Sequence, residues 1–123
     1  PVLDRINTSG SLIIDGVNDL INDLKIDNLI SISGHPSWSF IKFSSTDLFS
    51  SLEIKTLFIQ EVFKRGIYTL GTHNVTYAHS KADVDNLLNC YSDVFKLISK
   101  SIRDKTLHNK LECKPIEPLF AVR

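Results

Sequence analysis

With 123 residues, of which 42% are hydrophobic, the chain is long enough to bury one core and is predicted to form a single domain over residues 1–123. Its 14 basic and 14 acidic residues cancel, and no apolar run approaches the roughly 20 residues that span a bilayer, which argues against nucleic-acid and membrane partners. The two cysteines, Cys90 and Cys113, form no CxxC pair, and no signal peptide is recognisable, so we expect reduced thiols and a cytoplasmic location.

The first part of the chain is predicted to contain a helix and a β-hairpin. Apolar residues recur every three or four positions over residues 12–24, with acidic and amide side chains between them, which indicates an amphipathic helix. Two short segments with β-forming residues, 29–33 and 38–43, flank Gly34, His35 and Pro36. This pattern predicts two antiparallel strands joined by a turn.

The central part is predicted to contain a second helix followed by short strands. Residues 52–64 lack Gly and Pro and carry an apolar stripe, and Gly66 can adopt the left-handed conformation that ends helices. Residues 67–70 and 75–77 are predicted strands, and the segment between them, residues 71–74, is predicted to be a loop.

The strongest helical periodicity follows, over residues 81–102. Ser80 and Asp83 have the spacing of a capping box at its start. A short helix is expected near residues 105–111, and an extended tail follows because Pro115 and Pro118 cannot continue a helix. The predicted fold class is α+β, with two layers in which a mostly antiparallel sheet packs on helices.

The residue patterns that identify many enzymes are missing from the sequence. The four histidines lack metal-ligand spacing, no Gly-x-Ser-x-Gly motif positions a nucleophile, and the single glycine before Thr72 does not make a phosphate-binding loop. The sequence therefore predicts no catalytic, cofactor-binding or metal-binding residue in this chain.

A family resemblance covers nearly the whole chain and is strongest in residues 53–85, EIKTLFIQEVFKRGIYTLGTHNVTYAHSKADVD. This segment has a helix ending in Lys-Arg-Gly, a short strand, a polar loop, an Ala-His-Ser turn and a helix with acidic residues in its first turn. It resembles the C-terminal small domain of class III, fold type I, pyridoxal-phosphate (PLP) dependent aminotransferases, and in particular the members similar to glutamate-1-semialdehyde 2,1-aminomutase.

The resemblance implies that the chain is part of an enzyme that transfers an amino group to, or moves it within, a carbonyl compound. In that family a separate large domain holds PLP through its own lysine, so the resemblance implies a fragment without the large domain, with no cofactor-binding residue, that is inactive alone. The implied partners are the large PLP-binding domain of the same chain, a small amino or carbonyl substrate, and a second copy of the parent in a homodimer. The start at Pro1 and the absence of Met fit a fragment.

The resemblance also implies that the loop of residues 71–74 lies on the substrate side, which makes Thr72, His73 and Asn74 the candidate substrate-side residues. Their side chains suit a polar substrate, although Asn and Thr also commonly satisfy the backbone of turns. The arginine or glutamate that branches of the family place here has no counterpart between Leu70 and Tyr77, so the resemblance does not specify which substrate is bound. The alternative hypothesis is a noncatalytic protein-interaction or dimerisation domain.

Overall fold

A computed structural model describes residues 2–36, 38–67, 69, 71–74 and 81–112, without the side chains of residues 2–9, 72 and 74. These residues form an α+β fold, as predicted, whose elements are, in order, α1 (Val2–Leu24), β1 (Ile30–His35), β2 (Trp38–Phe43), α2 (Ser51–Lys64), β3 (Thr72–Asn74), α3 (Lys81–Arg103) and α4 (Leu107–Lys110). None of the described helices combines the length and the apolar composition that a bilayer crossing requires.

The described strands form one antiparallel sheet in the order β1-β2-β3. The predicted hairpin is confirmed, with Ile30 opposite Phe43 and His35 opposite Trp38 at its two ends. Ser39 of β2 is opposite His73 of β3. Because β2 alternates exposed and buried residues, one face of the sheet meets the helices and the other is open.

The third strand differs from the prediction. Residues 72–74, predicted to lie in a loop, form β3, whereas Ile67 and Thr69, predicted to lie in a strand, belong to none. Gly71 has a φ of 89°, and its carbonyl accepts a hydrogen bond from the Ile41 amide at 2.7 Å, so the described contact with β2 includes Gly71 as well as β3. A strand of three polar residues has no apolar alternation, so only its pairing with β2 reveals it. The predicted strand over 75–77, the Ser80 cap and the extended tail lie outside the described residues.

The helices follow the predictions more closely. Gly66 has a φ of 85° after the end of α2, as predicted, and α3 and α4 match the helices expected over 81–102 and near 105–111. The helix α1 is longer than predicted because its first part contains polar residues and a glycine that hide the apolar period. A capping box at Ser50 and Glu53, which the prediction missed, begins α2.

The core lies between the sheet and the helices α1, α2 and α3. Its centre is aromatic: the Phe58 ring of α2 lies 5.4 Å from the Tyr91 ring and 6.2 Å from the Phe95 ring of α3, measured between centroids. The Tyr91 and Phe95 rings stack on each other with an interplanar angle of 16°. Apolar residues of every layer surround these rings, including Ile13, Val17, Ile30, Ile41, Ile54, Leu57, Val94 and Ile98.

Two glycines allow α1 to approach its neighbours closely. A Cβ atom added at Gly10 would lie 1.6 Å from the carbonyl oxygen of Pro36, in the turn between β1 and β2. A Cβ atom added at Gly16 would lie 2.4 Å from Cδ1 of Leu88 on α3. The helix α1 is therefore seated against both the hairpin turn and α3, with no room for a side chain at Gly10.

Candidate functional site

The predicted substrate-side segment lies at the edge of the sheet, and its histidine points into the protein. His73 is only 6% exposed, and its ring contacts residues of β2 and α3. Its Nδ1 lies 3.1 Å from Oγ of Ser39, and its Nε2 lies 2.6 Å from the hydroxyl of Tyr91. Both ring nitrogens thus have hydrogen-bond partners within the chain.

A fourth side chain extends this hydrogen-bonded group. The side chain of Thr69 forms a hydrogen bond with Tyr91, and its Oγ1 also accepts a hydrogen bond from the Gly71 amide at 3.1 Å. We refer to Ser39, Thr69, His73 and Tyr91 as the polar cluster. It connects β2, β3, the segment before β3, and α3.

Burial controls the protonation of the polar cluster. Burial lowers the pKa of His73 to about 4, because the charged ring would lose its hydration, so the imidazole is neutral at pH 7. Burial also raises the pKa of Tyr91, which the hydrogen bond with Thr69 only partly opposes. The cluster is therefore uncharged under ordinary conditions.

The pairing of a serine with a histidine suggests nucleophilic catalysis, but its surroundings do not support it. The Oγ–Nδ1 distance of 3.1 Å is within the range of an activated serine. Ser39, however, is completely buried on the helix-facing side of the sheet, so no substrate carbonyl can reach its hydroxyl. The pair is a structural contact.

The other two predicted site residues flank His73 in β3. Thr72 is opposite Phe40, and Asn74 is opposite Trp38, in the register of β2 with β3. The side chains of Thr72 and Asn74 lie outside the part of the chain that the structure describes. Their prediction as substrate-side residues therefore stays a prediction.

The side of the sheet away from the helices carries exposed aromatic residues. Trp38 is 63% exposed and Phe40 is 38% exposed, and Nζ of Lys42 lies 5.4 Å from the centre of the Phe40 ring. The cross-strand partners His35 and Ser31 are exposed as well. We call these five residues the open face.

The described lysines do not suit a covalent PLP site. None of them is buried. At Lys64 the hydrogen bond that its amine donates to Glu112 and the charge of Glu61 raise the pKa of the amine, opposite to the lowering that a nucleophilic lysine needs. Among the described residues there is also no group of three His, Cys, Asp or Glu side chains that could hold a metal ion.

A charged cluster lies at the end of α2. Nη1 of Arg65 lies 3.0 Å from both the carbonyl oxygen and Oε1 of Glu61, so Arg65 binds at the end of the helix. Burial alone would raise the pKa of Glu61, but hydrogen bonds from Gln60 and Arg65 and the charge of Lys64 lower it below its usual value. This cluster stabilises the end of the helix.

Three members of the polar cluster, Ser39, Thr69 and Tyr91, are not among the predicted site residues. Ser39 lies in the predicted strand 38–43, Thr69 in the predicted strand 67–70, and Tyr91 in the predicted helix 81–102. The available signal was the tyrosine itself, since a tyrosine hydroxyl within a buried stripe nearly always needs a hydrogen-bond partner.

Comparisons with known proteins give a similarity in three dimensions. No protein-family model matches the chain, and no curated protein matches it. The solved structure of the FumI protein of Sphingopyxis sp. MTA144, in its PLP internal aldimine form, shares the fold with a TM-score of 0.68 and 20% sequence identity over 84% of this chain. The chain corresponds to 24% of the length of that protein.

Proposed function

We propose that this chain is the C-terminal small domain of a PLP-dependent aminotransferase or aminomutase of class III. The domain packs beside a large domain that binds the cofactor, and it helps to enclose the active site. PLP acts as an electron sink in such enzymes and would be held by residues outside this chain. By itself, the chain would be inactive.

The observation that carries this proposal is the shared fold with FumI, whose structure was solved with PLP. The similarity covers most of this chain but only about a quarter of that protein, which is the relation expected between a small domain and a complete enzyme. The resemblance of residues 53–85 to the class III small domain supports the same assignment independently.

The open face supports the proposed packing against a large domain. A tryptophan that is 63% exposed beside a partly exposed phenylalanine forms an apolar patch of the kind that marks an interaction site. Neither residue contributes to the core, which lies on the other side of the sheet. The occupant that we propose is the large domain of the same protein, since three quarters of the similar enzyme has no counterpart here.

The proposed substrate-side residues are in β3. Thr72 and Asn74 are paired with the two aromatic residues of the open face, so their backbones border the surface that we assign to the large domain. The substrate would be a small amino or carbonyl compound. The parent enzyme is proposed to be a cytoplasmic homodimer.

The test is to locate PLP on the full-length protein. We expect the purified protein to show the visible absorption of bound PLP, and borohydride reduction followed by peptide mass spectrometry to find the pyridoxyl group on a lysine outside residues 1–123. The 123-residue chain mixed with PLP serves as the control and should show no stable absorption.

Two outcomes would contradict the proposal. A pyridoxyl group on a lysine of this chain would refute the division of labour between the domains. A full-length protein that neither binds PLP nor contains a large domain would favour the alternative, a noncatalytic interaction domain whose open face binds a partner.

A further inference from the structure

The polar cluster holds the β3 segment at its start and in its middle. At the start of the segment, Thr69 accepts a hydrogen bond from the Gly71 amide and is itself bonded to Tyr91. In its middle, the His73 ring is fixed by Ser39 on one side and by Tyr91 on the other. Tyr91 is thus the shared partner of the residues before and within β3.

The segment depends on these bonds because its backbone contacts are few. In the described sheet, β3 is a three-residue edge strand that pairs only with β2. An edge strand this short has few ladder hydrogen bonds to resist fraying. Buried side-chain bonds are costly to break, since each separated polar group would stay without a partner away from water.

The Tyr91 ring is enclosed by the core, which makes it a suitable anchor. It is completely buried, stacks on Phe95 and contacts Phe58. The hydrogen bond between its hydroxyl and His73 therefore ties β3 to the aromatic centre of the core. The bond from His73 to Ser39 ties the same ring to the central strand of the sheet.

We infer that His73 is a positioning residue, whose bonds to Ser39 and Tyr91 fix the backbone of Thr72 and Asn74 at the edge of the sheet. The inference rests on the proposed function in one respect, which is that this edge of the sheet is the substrate side. The neutral state of the buried ring supports it, because a neutral imidazole offers one donor and one acceptor, and hydroxyl groups can match either.

Hydrogen exchange measured by mass spectrometry on the full-length protein tests this role. The variants are Tyr91→Phe and Ser39→Ala, each of which removes one hydroxyl and leaves the histidine. We expect amides 71–74 to exchange roughly tenfold faster in each variant, while the amides of β1 and α2 change less than about twofold. Tyr91→Phe keeps the buried ring, so this variant should fold.

The matched control is Ser101→Ala, which removes a buried serine hydroxyl of α3 outside the polar cluster. It should produce no selective acceleration at 71–74. Equal acceleration in all segments, or none at 71–74, would overturn the positioning role. The measurement needs neither cofactor nor substrate, so the two proposals can fail separately. If the full-length protein lacks PLP but amides 71–74 exchange faster in the variants, the proposed function is refuted and the positioning role stands.

Discussion

The hydroxyl of Tyr91 lies 2.6 Å from Nε2 of His73, and both side chains are buried. This contact joins the long helix α3 to the short strand β3 across the interior. It places His73, the histidine of the predicted substrate-side segment, inside the protein and against α3.

The burial of His73 predicts a loss of stability in mild acid. Because its pKa is about 4 in the folded protein and about 6.5 when unfolded, the unfolded state binds the extra proton between these values. The contribution that the neutral, buried His73 makes to the free energy of unfolding is present above about pH 6.5 and is lost as the pH falls toward 4. Between pH 7 and pH 5 the free energy of unfolding should fall by about 2 kcal/mol, measured by urea unfolding at each pH.

The matched variants for this prediction are His73→Gln, which cannot titrate, and Ser101→Ala, which retains the buried imidazole. The first should lose most of the decrease between pH 7 and pH 5, and the second should retain it. Glu53 and Glu61, whose pKa values are lowered, lose their contributions only below about pH 4.5 and do not act in this window. An unchanged decrease in His73→Gln would contradict the assignment.

The close approach of α1 to the hairpin turn predicts that Gly10→Ala is destabilising, even though alanine favours helices. The added Cβ would collide with the backbone of Pro36, which cannot rotate away as a side chain could. The cost of forcing the two elements apart should be about 1–3 kcal/mol. Thermal or urea unfolding of the variant measures it.

The control for that substitution is Asn18→Ala, on the exposed side of the same helix. It should maintain or slightly raise the stability, because alanine has the higher helix propensity. If Gly10→Ala were as stable as Asn18→Ala, α1 would not be seated against the turn in solution.

The two carboxylates around Lys64, Glu61 and Glu112, should contribute differently to the free energy of unfolding. The Glu61 side chain is 8% exposed and receives hydrogen bonds from Gln60 and Arg65, whereas the Glu112 side chain is 63% exposed. Glu61→Gln should lower the free energy of unfolding by about 1–3 kcal/mol, because it weakens a buried charge-assisted contact. Glu112→Gln should leave stability unchanged within error, since solvent screens the exposed pair. Similar values for both variants in urea unfolding would contradict this distinction.

The open face predicts that Trp38→Asp acts only in the full-length protein. If the large domain covers this face, a charge there should destabilise the domain interface by about 2 kcal/mol and speed limited proteolysis between the domains. The isolated 123-residue chain should change much less, because Trp38 is 63% exposed in it.

The control for the open face is Leu48→Asp, a residue that is 56% exposed but lies in the segment between β2 and α2. It should leave proteolysis of the full-length protein unchanged. Equal effects of the two variants would show that general surface polarity, and not a docked domain, controls the result.

The helices and the hairpin followed from the sequence because their information is local. Apolar residues at helical spacing in α2 and α3, and β-forming residues on either side of a Gly-His-Pro turn, each specify an element without reference to the rest of the chain. The α+β class followed from the order of these elements.

The tertiary structure decided the rest, above all the state of His73. No local pattern marks Thr72–Asn74 as a strand, since its conformation comes from pairing with β2. Sequence spacing also cannot show that Ser39, His73 and Tyr91 meet, because they lie on three elements that come together only when the sheet closes over α3. The family resemblance implied a histidine on the substrate side, and packing makes that histidine a buried, neutral side chain whose two ring nitrogens have partners within the chain.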